Sequence, residues 1–176
     1  NTIADGTAVQ TPGDKLFPYL QANVDHVITV DDSELTLSFL DMAENHKMIV
    51  ENSGLLTVAA LKHLDFKGKK VVSVLSGGNM DVLTMAPVVQ NGLMQRDRIF
   101  TVSVMLPDKP GQLAAVSSLI AKEQGNVIKL EHNVFANVNR TAGVELTITL
   151  ESFGTEHKDQ IIKALEAAGY CPVIPK

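Results

Sequence analysis

The sequence contains a single cysteine, Cys171, no tryptophan and only 5% aromatic residues. A lone cysteine excludes an intrachain disulfide, and this cysteine usage fits a reducing, cytoplasmic compartment. We expect Cys171 to be a small buried apolar residue in the last strand. No apolar run approaches the ~20 residues that a transmembrane helix needs, and no signal-peptide pattern is present. The sequence therefore predicts neither a secreted nor a membrane-spanning protein.

Basic residues are also scarce, with 15 Lys and Arg against 20 Asp and Glu, for a formal net charge of -5. Nucleic acids and anionic membranes repel an acidic chain that has no basic patch, so neither is predicted as a partner. No pair of histidines has metal-ligand spacing with a carboxylate or thiolate, so no catalytic metal is predicted. What the chain has is 45% hydrophobic content, which is enough for one large or two small folded domains.

The first half alternates short apolar runs with helical periodicity. Strands are predicted at residues 26–30, 47–50 and 71–75, and each is followed by helical spacing. We expect Ser33 and Ser53 to cap the first two helices. The run at 71–75 is almost continuously apolar, which is typical of a strand buried on both faces of a parallel sheet. Residues 1–94 are therefore predicted to be an α/β layer with a parallel sheet and too few strands for a whole domain.

The second half, residues 99–176, has a different pattern, and residues 95–98 are the predicted linker. Apolar and polar residues alternate cleanly from Val144 to Leu150, as in a half-buried strand. Strands and helices are predicted in the order βαββαβ, the ferredoxin-like plan. Thr155 is expected to cap the last helix, and the last strand is expected at residues 171–174.

The loop that follows the apolar run at 71–75 is the strongest candidate site. It reads Ser76-Gly77-Gly78-Asn79, and its glycines would let the backbone approach a ligand at the carboxyl end of a strand. A plain tight turn before a helix gives the same pattern. An anion cradle at the helix N-terminus is a third interpretation.

Several segments read together resemble the serine/threonine ammonia-lyase family of pyridoxal-phosphate enzymes. The matching segments are Thr2–Gly6, Val50–Gly54 and Leu75–Asn79. The resemblance implies the C-terminal piece of a catalytic domain like that of the tryptophan synthase β subunit. It also implies the conversion of threonine to 2-oxobutanoate and ammonia.

In this family the serine that matches Ser76 hydrogen-bonds the pyridine nitrogen of the cofactor. The glycine that matches Gly6 lies near the ring, and the glutamate that matches Glu51 borders the active site. Gly77 and Asn79 complete the predicted cofactor-binding set. A neutral hydroxyl leaves the pyridine nitrogen largely unprotonated, which favours elimination of a β-hydroxyl over reprotonation. Relatives usually carry a small residue or proline where this chain has Asn52.

The family's Schiff-base lysine and phosphate-binding loop have no counterpart in the sequence. We therefore expect the chain to be a C-terminal fragment that is inactive alone and works with a missing N-terminal catalytic part or a companion chain. Two alternatives stay open. The parent enzyme could be a serine dehydratase or resemble serine racemase. The chain by itself could be a non-catalytic module for effector binding and dimerisation.

The run Leu106–Leu113, followed by Gly125–Ile128, resembles an ACT domain of the type found at the C-terminus of some threonine ammonia-lyases. The resemblance implies homo-oligomerisation through ACT–ACT pairing and a small amino-acid effector bound at the seam. We expect the pairing to bury alternating apolar residues of the sheet. The predicted effector-binding residues are Asp108, Gly111, Gln112, Leu113, Asn126 and Val127.

Two histidines in this half receive other predictions. His132 shares strand parity with Leu130 and Val134, which indicates a hydrogen-bonded core histidine. His157 lies near a helix start beside Glu156 and is expected on the surface.

Overall fold

The computed structural model describes residues 2–133 and 143–175. The chain forms two compact units, one ending at Gly92 and the other beginning at Leu93. The division falls within the helix Val82–Gln95. Within the described residues, no helix is long and apolar enough to cross a membrane.

The first unit is built from short helices around a small apolar core. Its α-helices are α1 (Phe17–Asn23), α2 (Asp32–Asp41), α3 (Leu56–Ala59) and α4 (Val82–Gln95), the last continuing into the second unit. Short 3-10 turns cover Asp5–Thr7, Asn52–Leu55 and Ala60–His63, and a π-helical turn covers Met42–His46. The core residues are Ala4, Leu35, Phe39, Met42, Val50, Leu55, Ala59 and Val88.

Helix α2 begins two residues earlier than the sequence predicted. Asp31, not Ser33, is the N-cap residue, and it forms a capping box with Glu34. The backbone N–H of Asp31 donates to Glu34 Oε2 at 2.9 Å. This hydrogen bond, followed by the contact with His63, lowers the pKa of Glu34. The helix then buries Leu35 and Phe39 against the core. Similarly, Glu51 rather than Ser53 precedes the turn Asn52–Leu55.

The three strands predicted in the first unit do not form. Residues 26–30, 47–50 and 71–75 are in neither a helix nor a β-ladder within the described part of the chain, and Lys47 has a left-handed backbone with a φ of 58°. Val27 and Val72 are 87% and 88% exposed. The carbonyl of Val74 accepts a hydrogen bond from Thr57 Oγ1 at 2.9 Å rather than from a neighbouring strand. An apolar pattern gives a segment the propensity for a strand, but a strand also requires a partner at the right register.

The second unit has the predicted ferredoxin-like order, except for its last strand. Its elements are β1 (Ile99–Leu106), α5 (Gln112–Lys122), β2 (Asn126–Asn133), β3 (Val144–Glu151) and α6 (Thr155–Ala167). The sheet is antiparallel, in the order β1-β3-β2. The predicted last strand is reduced to one bridge between Ser103 and Val173. Cys171 is therefore exposed instead of buried, because no full ladder covers it.

The two faces of this sheet differ in chemistry. Alternate residues of β1 and β3 form a core with the helices, consisting of Phe100, Val102, Val104, Leu106, Leu146, Ile148 and Leu150 with Val116, Ile120, Ile161 and Leu165. The other face carries hydroxyl pairs, Thr101 with Thr149 and Ser103 with Thr147, each at 3.0 Å. The alternating apolar residues of β1 and β3 are thus already buried. The apolar residues that the sheet leaves open for a partner chain include Val127, Ile128 and Leu130 of β2, which are 37%, 49% and 37% exposed.

The segment predicted as a linker, residues 95–98, is tied to the second unit. Gln95 ends α4, and Asp97 adopts a φ of 53°. The Asp97 carboxylate accepts hydrogen bonds from Lys158 Nζ and Thr155 Oγ1, both at 2.7 Å. Lys158 is the main cause of the lowered pKa of Asp97. The Thr155 side chain therefore binds this segment and does not cap α6, whose N-cap residue is Gly154.

Candidate functional site

In the first unit, the Ser76-Gly77 backbone lies directly against the Glu51–Gly54 turn. The Glu51 N–H donates to the Gly77 carbonyl at 3.4 Å. A Cβ at Gly54 would lie 1.8 Å from the Ser76 carbonyl oxygen. A Cβ at Gly77 would lie 2.1 Å from Glu51 Oε1. Gly77 also has a φ of 80°, which favours glycine. Both positions therefore require glycine for two segments about 20 residues apart to meet.

Gly6 joins the same cluster from the N-terminal turn. A Cβ at Gly6 would lie 2.8 Å from Ser53 Oγ. The structure thus brings Gly6, Glu51, Ser76 and Gly77 around one turn, as a shared site requires. Asn79 is exposed, and the structure records no hydrogen bond from its side chain to a described residue. This member of the predicted set is not brought into contact with the others.

Two polar groups in this cluster lack protein partners. The Ser76 hydroxyl has no hydrogen-bond partner among residues 2–133 and 143–175, and Ser76 is exposed. Asn52 is 5% exposed, and its Nδ2 donates to the Ile3 carbonyl at 3.0 Å. Its Oδ1 is buried without a partner in the described part of the chain. A buried polar atom without a partner costs about 1–3 kcal/mol, so this side of the turn can accept a further hydrogen bond.

In the second unit, the predicted effector loop forms a cavity of about 320 Å³. Its lining includes Asp108, Gly111, Gln112 and Leu113, together with His132 from the end of β2. Gly111 is the N-cap of α5 with a φ of 89°, and no side chain caps the helix. The N–H groups of the first helical turn have no intrahelical partners. The loop therefore offers backbone donors beside a histidine and a carboxylate.

The other two predicted effector residues lie elsewhere in the same unit. Asn126 is at the opposite end of β2 from His132 and pairs with Glu151 of β3. Val127 pairs with Leu150 and is 37% exposed. Six residues of strand separate Asn126 from His132, which is roughly 20 Å at about 3.3 Å per residue. A single copy of this unit therefore does not bring Asn126 to the loop cavity.

Family models match both halves of the chain. Residues 1–77 match the pyridoxal-phosphate dependent enzyme family, and residues 100–169 match the ACT domain. The chain joins a segment of a pyridoxal-phosphate-dependent enzyme to an ACT domain. These two matches confirm the predicted family and the predicted fold class, a pyridoxal-phosphate enzyme segment followed by an ACT domain.

Curated relatives resemble the chain across both parts. An L-threonine ammonia-lyase of Geobacter sulfurreducens is 37% identical over 96% of this chain and 42% of its own length. An L-threonine ammonia-lyase of Thermotoga maritima is 34% identical over 96% of this chain and 42% of its own length. The chain thus spans less than half the length of these relatives. Among solved structures, a prephenate dehydratase from Streptococcus mutans is 19% identical, covers 43% of this chain and 40% of its own, and has a TM-score of 0.36.

The residues of the pyridoxal-phosphate segment fit a bound cofactor. Gly54 and Gly77 remove the side chains that would block close approach of the Ser76 loop to the Glu51 turn. The unpartnered Ser76 hydroxyl is a neutral group that can donate to, or accept from, a ring nitrogen. Ser76, Gly77, Gly6 and Glu51 would hold the group. Among the described residues, no cluster of His, Cys, Asp and Glu able to hold a metal ion is present.

The two histidines of the ACT domain exchange their predicted roles. His132 is exposed at the end of the edge strand β2, because the helices do not cover that strand. His157 is 8% exposed. Its Nδ1 accepts the Phe153 N–H at 3.0 Å, and its Nε2 lies 2.6 Å from the Glu123 carbonyl. The periodicity of α6, which also buries Ile161 and Leu165, is the sequence signal that could have placed His157 inside.

Proposed function

We propose that the chain is part of a pyridoxal-phosphate-dependent threonine ammonia-lyase whose ACT domain responds to a small amino acid. The observation that carries the proposal is the exposed Ser76 hydroxyl, which has no hydrogen-bond partner among the described residues and belongs to a loop that contacts the Glu51–Gly54 turn through Gly54 and Gly77. The names of the relatives, which are L-threonine ammonia-lyases, support the reaction. The activity is proposed for the protein that contains the complete catalytic domain, because this chain covers 42% of the length of those relatives.

Bound pyridoxal phosphate supplies the electron sink that makes elimination of water and ammonia from threonine accessible. The chain's own residues would position that group and control its charge. The Ser76 hydroxyl would hydrogen-bond the pyridine nitrogen without placing a negative charge beside it, so the nitrogen stays largely unprotonated. Gly77 lets the backbone beside Ser76 lie against Glu51, because it has no Cβ to clash with the Glu51 side chain. Glu51, whose carboxylate lies against Gly77, would border the substrate side.

Substitutions at Ser76 in the complete enzyme test the proposal directly. Ser76→Asp should shift the cofactor absorbance towards that of a protonated ring, because a carboxylate stabilises the pyridinium. Ser76→Ala should lower threonine turnover by about tenfold or more, the cost of one hydrogen bond to a charged or polarised group. Ser73→Ala is the matched control, since among residues 2–133 and 143–175 the Ser73 hydroxyl hydrogen-bonds only the Thr57 carbonyl, at 3.4 Å. Unchanged spectra and rates in both Ser76 variants would contradict the assignment, and turnover of serine in preference to threonine would favour the serine dehydratase alternative.

We also propose that the loop cavity binds the amino-acid effector and is completed by a second copy of the ACT domain. The cavity of about 320 Å³ is within the usual range of small-ligand sites, about 300–1,000 Å³. The α5 N-terminus suits the effector's carboxylate, and Asp108 suits its ammonium group. Strand β2 is at the edge of the sheet, with Ile128 49% exposed. An exposed edge strand is a template for pairing with another chain. Such pairing would supply the second copy's Asn126 to this loop.

Titration calorimetry with isoleucine, valine, threonine and serine tests effector binding. Asp108→Asn should weaken binding about tenfold or more, whereas Glu145→Gln, also a carboxylate-to-amide change in this unit, should leave it unchanged. Mixing Asp108→Asn chains with Asn126→Ala chains tests the shared site, because a mixed dimer retains one intact site. Random mixing makes half of the dimers mixed, and each of these has one intact site of two, so binding at about a quarter of the normal stoichiometry is expected. No binding by any of the four amino acids, or full binding by both single variants, would contradict the proposal.

A further inference from the structure

A second cavity of about 370 Å³ is present at the end of the ACT sheet opposite the loop cavity. Its floor is a row of three residues in register across the strands, Ile99, Glu151 and Asn126. Its walls come from the residues before β1, before β2 and after β3, namely Leu93, Arg98, Gln124, Ser152 and Phe153. All of them belong to the second unit.

The charged groups of this cavity are of opposite sign. Glu151 is fixed on the floor, because Asn126 Nδ2 donates to its Oε2 at 2.7 Å. This bond leaves Oε1 able to accept a further hydrogen bond. Arg98 contributes a guanidinium group with five N–H donors, enough to bind a ligand carboxylate in addition to a protein partner. One cation and one anion on the same cavity match the two charges of a zwitterion.

Phe153 gives the cavity an aromatic wall that is exposed and yet held in place. The residue is 80% exposed. One face of its ring stacks on His157 with centroids 4.8 Å apart and an angle of 19° between the planes. His157 is in turn held at both ring nitrogens, by the Phe153 N–H and at the Glu123 carbonyl. The ring is therefore preorganised while much of its surface remains available to a ligand.

Further hydrogen bonds fix the chain on either side of Phe153. The Ser152 N–H donates to the Arg98 carbonyl at 2.9 Å, and the Ser152 hydroxyl donates to the Asp97 carbonyl. These bonds connect the loop after β3, which carries Phe153, to the segment before β1, which carries Arg98, and so fix the two walls relative to each other. A preorganised aromatic side chain loses little conformational entropy on binding, which is the property of a binding site rather than of a solvated loop.

We propose that this cavity is a second small-molecule site of the ACT domain, which binds an amino acid with a large apolar side chain. The ligand's carboxylate lies at Arg98, its ammonium group at Glu151, and its side chain against Phe153, Ile99 and Leu93. The volume is at the small end of ligand sites, about 300–1,000 Å³, which suits one amino acid. The site is complete within one copy, unlike the effector site proposed at the Asp108–Leu113 loop, and it uses none of the residues of that loop.

L-Phenylalanine is the probe, added to the intact chain at up to about 10 mM, which covers weak specific binding. Two analogues separate the contacts, since L-phenylalaninamide lacks the carboxylate and 3-phenylpropionate lacks the ammonium group. Amide NMR shifts upon titration locate the ligand. The shifts are expected at residues 98–99, 124–126 and 151–154, with small or no shifts at 108–113. Both analogues are expected to bind at least about tenfold more weakly than L-phenylalanine.

Three variants complete the test. Glu151→Gln should weaken L-phenylalanine binding about tenfold or more and leave 3-phenylpropionate binding unchanged, because only the amino acid has the ammonium group. Phe153→Ala should weaken binding of both. Glu145→Gln makes the same chemical change on the same face of β3, six residues away, and should have no effect. The proposal is overturned by absence of binding, by shifts confined to residues 108–113, or by equal effects of Glu151→Gln and Glu145→Gln.

Discussion

The Glu51 carboxylate lies where a side chain at Gly77 would be, since a Cβ there would come within 2.1 Å of Glu51 Oε1. The two residues belong to segments that meet only in the folded chain. Their contact explains why the loop after the apolar run at 71–75 contains glycine at this position. The pyridoxal-phosphate segment therefore depends on this pair for the placement of Ser76.

Gly77→Ala should destabilise the first unit by about 2 kcal/mol or more, because a positive φ costs about 1–2 kcal/mol in a residue with a Cβ and Glu51 must also move. Urea unfolding of the intact chain, followed by fluorescence of a dye bound to exposed apolar surface, measures the loss. Gly78→Ala is the matched control, since its Cβ would meet no atom within 4 Å. Equal stability of the two variants would show that the Glu51–Gly77 contact is not important.

The Asp97–Lys158 pair should make the stability of the ACT unit depend on acid pH. The folded pKa of Asp97 is lowered from the ordinary value of 3.8, mainly by the hydrogen bond from Lys158. Its contribution is therefore complete above the ordinary pKa and is lost as the pH falls through the lowered folded pKa. Asp97→Asn should lower the free energy of unfolding by about 1 kcal/mol at neutral pH. It should also flatten the acidic part of the plot of unfolding free energy against pH.

Asparagine is the appropriate substitution for that test, because it tolerates the positive φ of Asp97 and so removes only the charge. Chemical denaturation at several pH values between neutrality and the acid limb provides the measurement. A variant that keeps the wild-type slope of unfolding free energy against pH would refute the assignment of that slope to Asp97.

Truncating a side chain of the ACT core should lower the free energy of unfolding far more than truncating one on the open face of the sheet. Ile148 is fully buried, and Ile148→Ala should cost about 2–5 kcal/mol. Thr147, the next residue on β3, points to the other face and shares a 3.0 Å hydrogen bond with Ser103. Thr147→Ala should cost about 1 kcal/mol. Thermal unfolding of both variants measures the two losses of stability. Similar losses would show that the two faces of the sheet are wrongly assigned.

Self-association through the edge strand β2 should be sensitive to charge. Ile128→Lys should weaken association at least about tenfold, because the lysine would have to be desolvated in the new interface. Ile174→Lys is the control, since Ile174 is 45% exposed in the segment that bridges the other edge strand, β1. Sedimentation analysis over a range of concentrations gives the comparison. A monomeric parent chain, or equal losses in both variants, would contradict pairing through β2.

Local sequence patterns predicted much of the ACT unit correctly. The alternation along Val144–Leu150 corresponds to β3, and its apolar positions are the ones that the helices cover. Helix α5 begins at Gln112, directly after the Asp108–Gly111 turn that the sequence placed before a helix. These features depend on periodicity and on backbone conformation, which a single segment carries within itself.

The sequence by itself indicated the two families, the order of elements in the ACT domain apart from its last strand, and part of each predicted residue set: Gly6, Glu51 and Gly77 with Ser76, and Gly111, Gln112 and Leu113 with Asp108. Tertiary structure decided whatever depends on a partner from elsewhere in the chain. The apolar runs of the first unit did not become strands, because pairing and register come from neighbours. His132 is exposed because it lies on β2, which the helices do not cover. His157 is buried because it lies on the face of α6 that packs against the core. Asn126 lies with Glu151 rather than with the Asp108 loop, because β1 and β2 both run antiparallel to β3 and α5 connects the end of β1 to the start of β2 at the opposite end of the sheet. The spacing of residues along the chain does not show that separation.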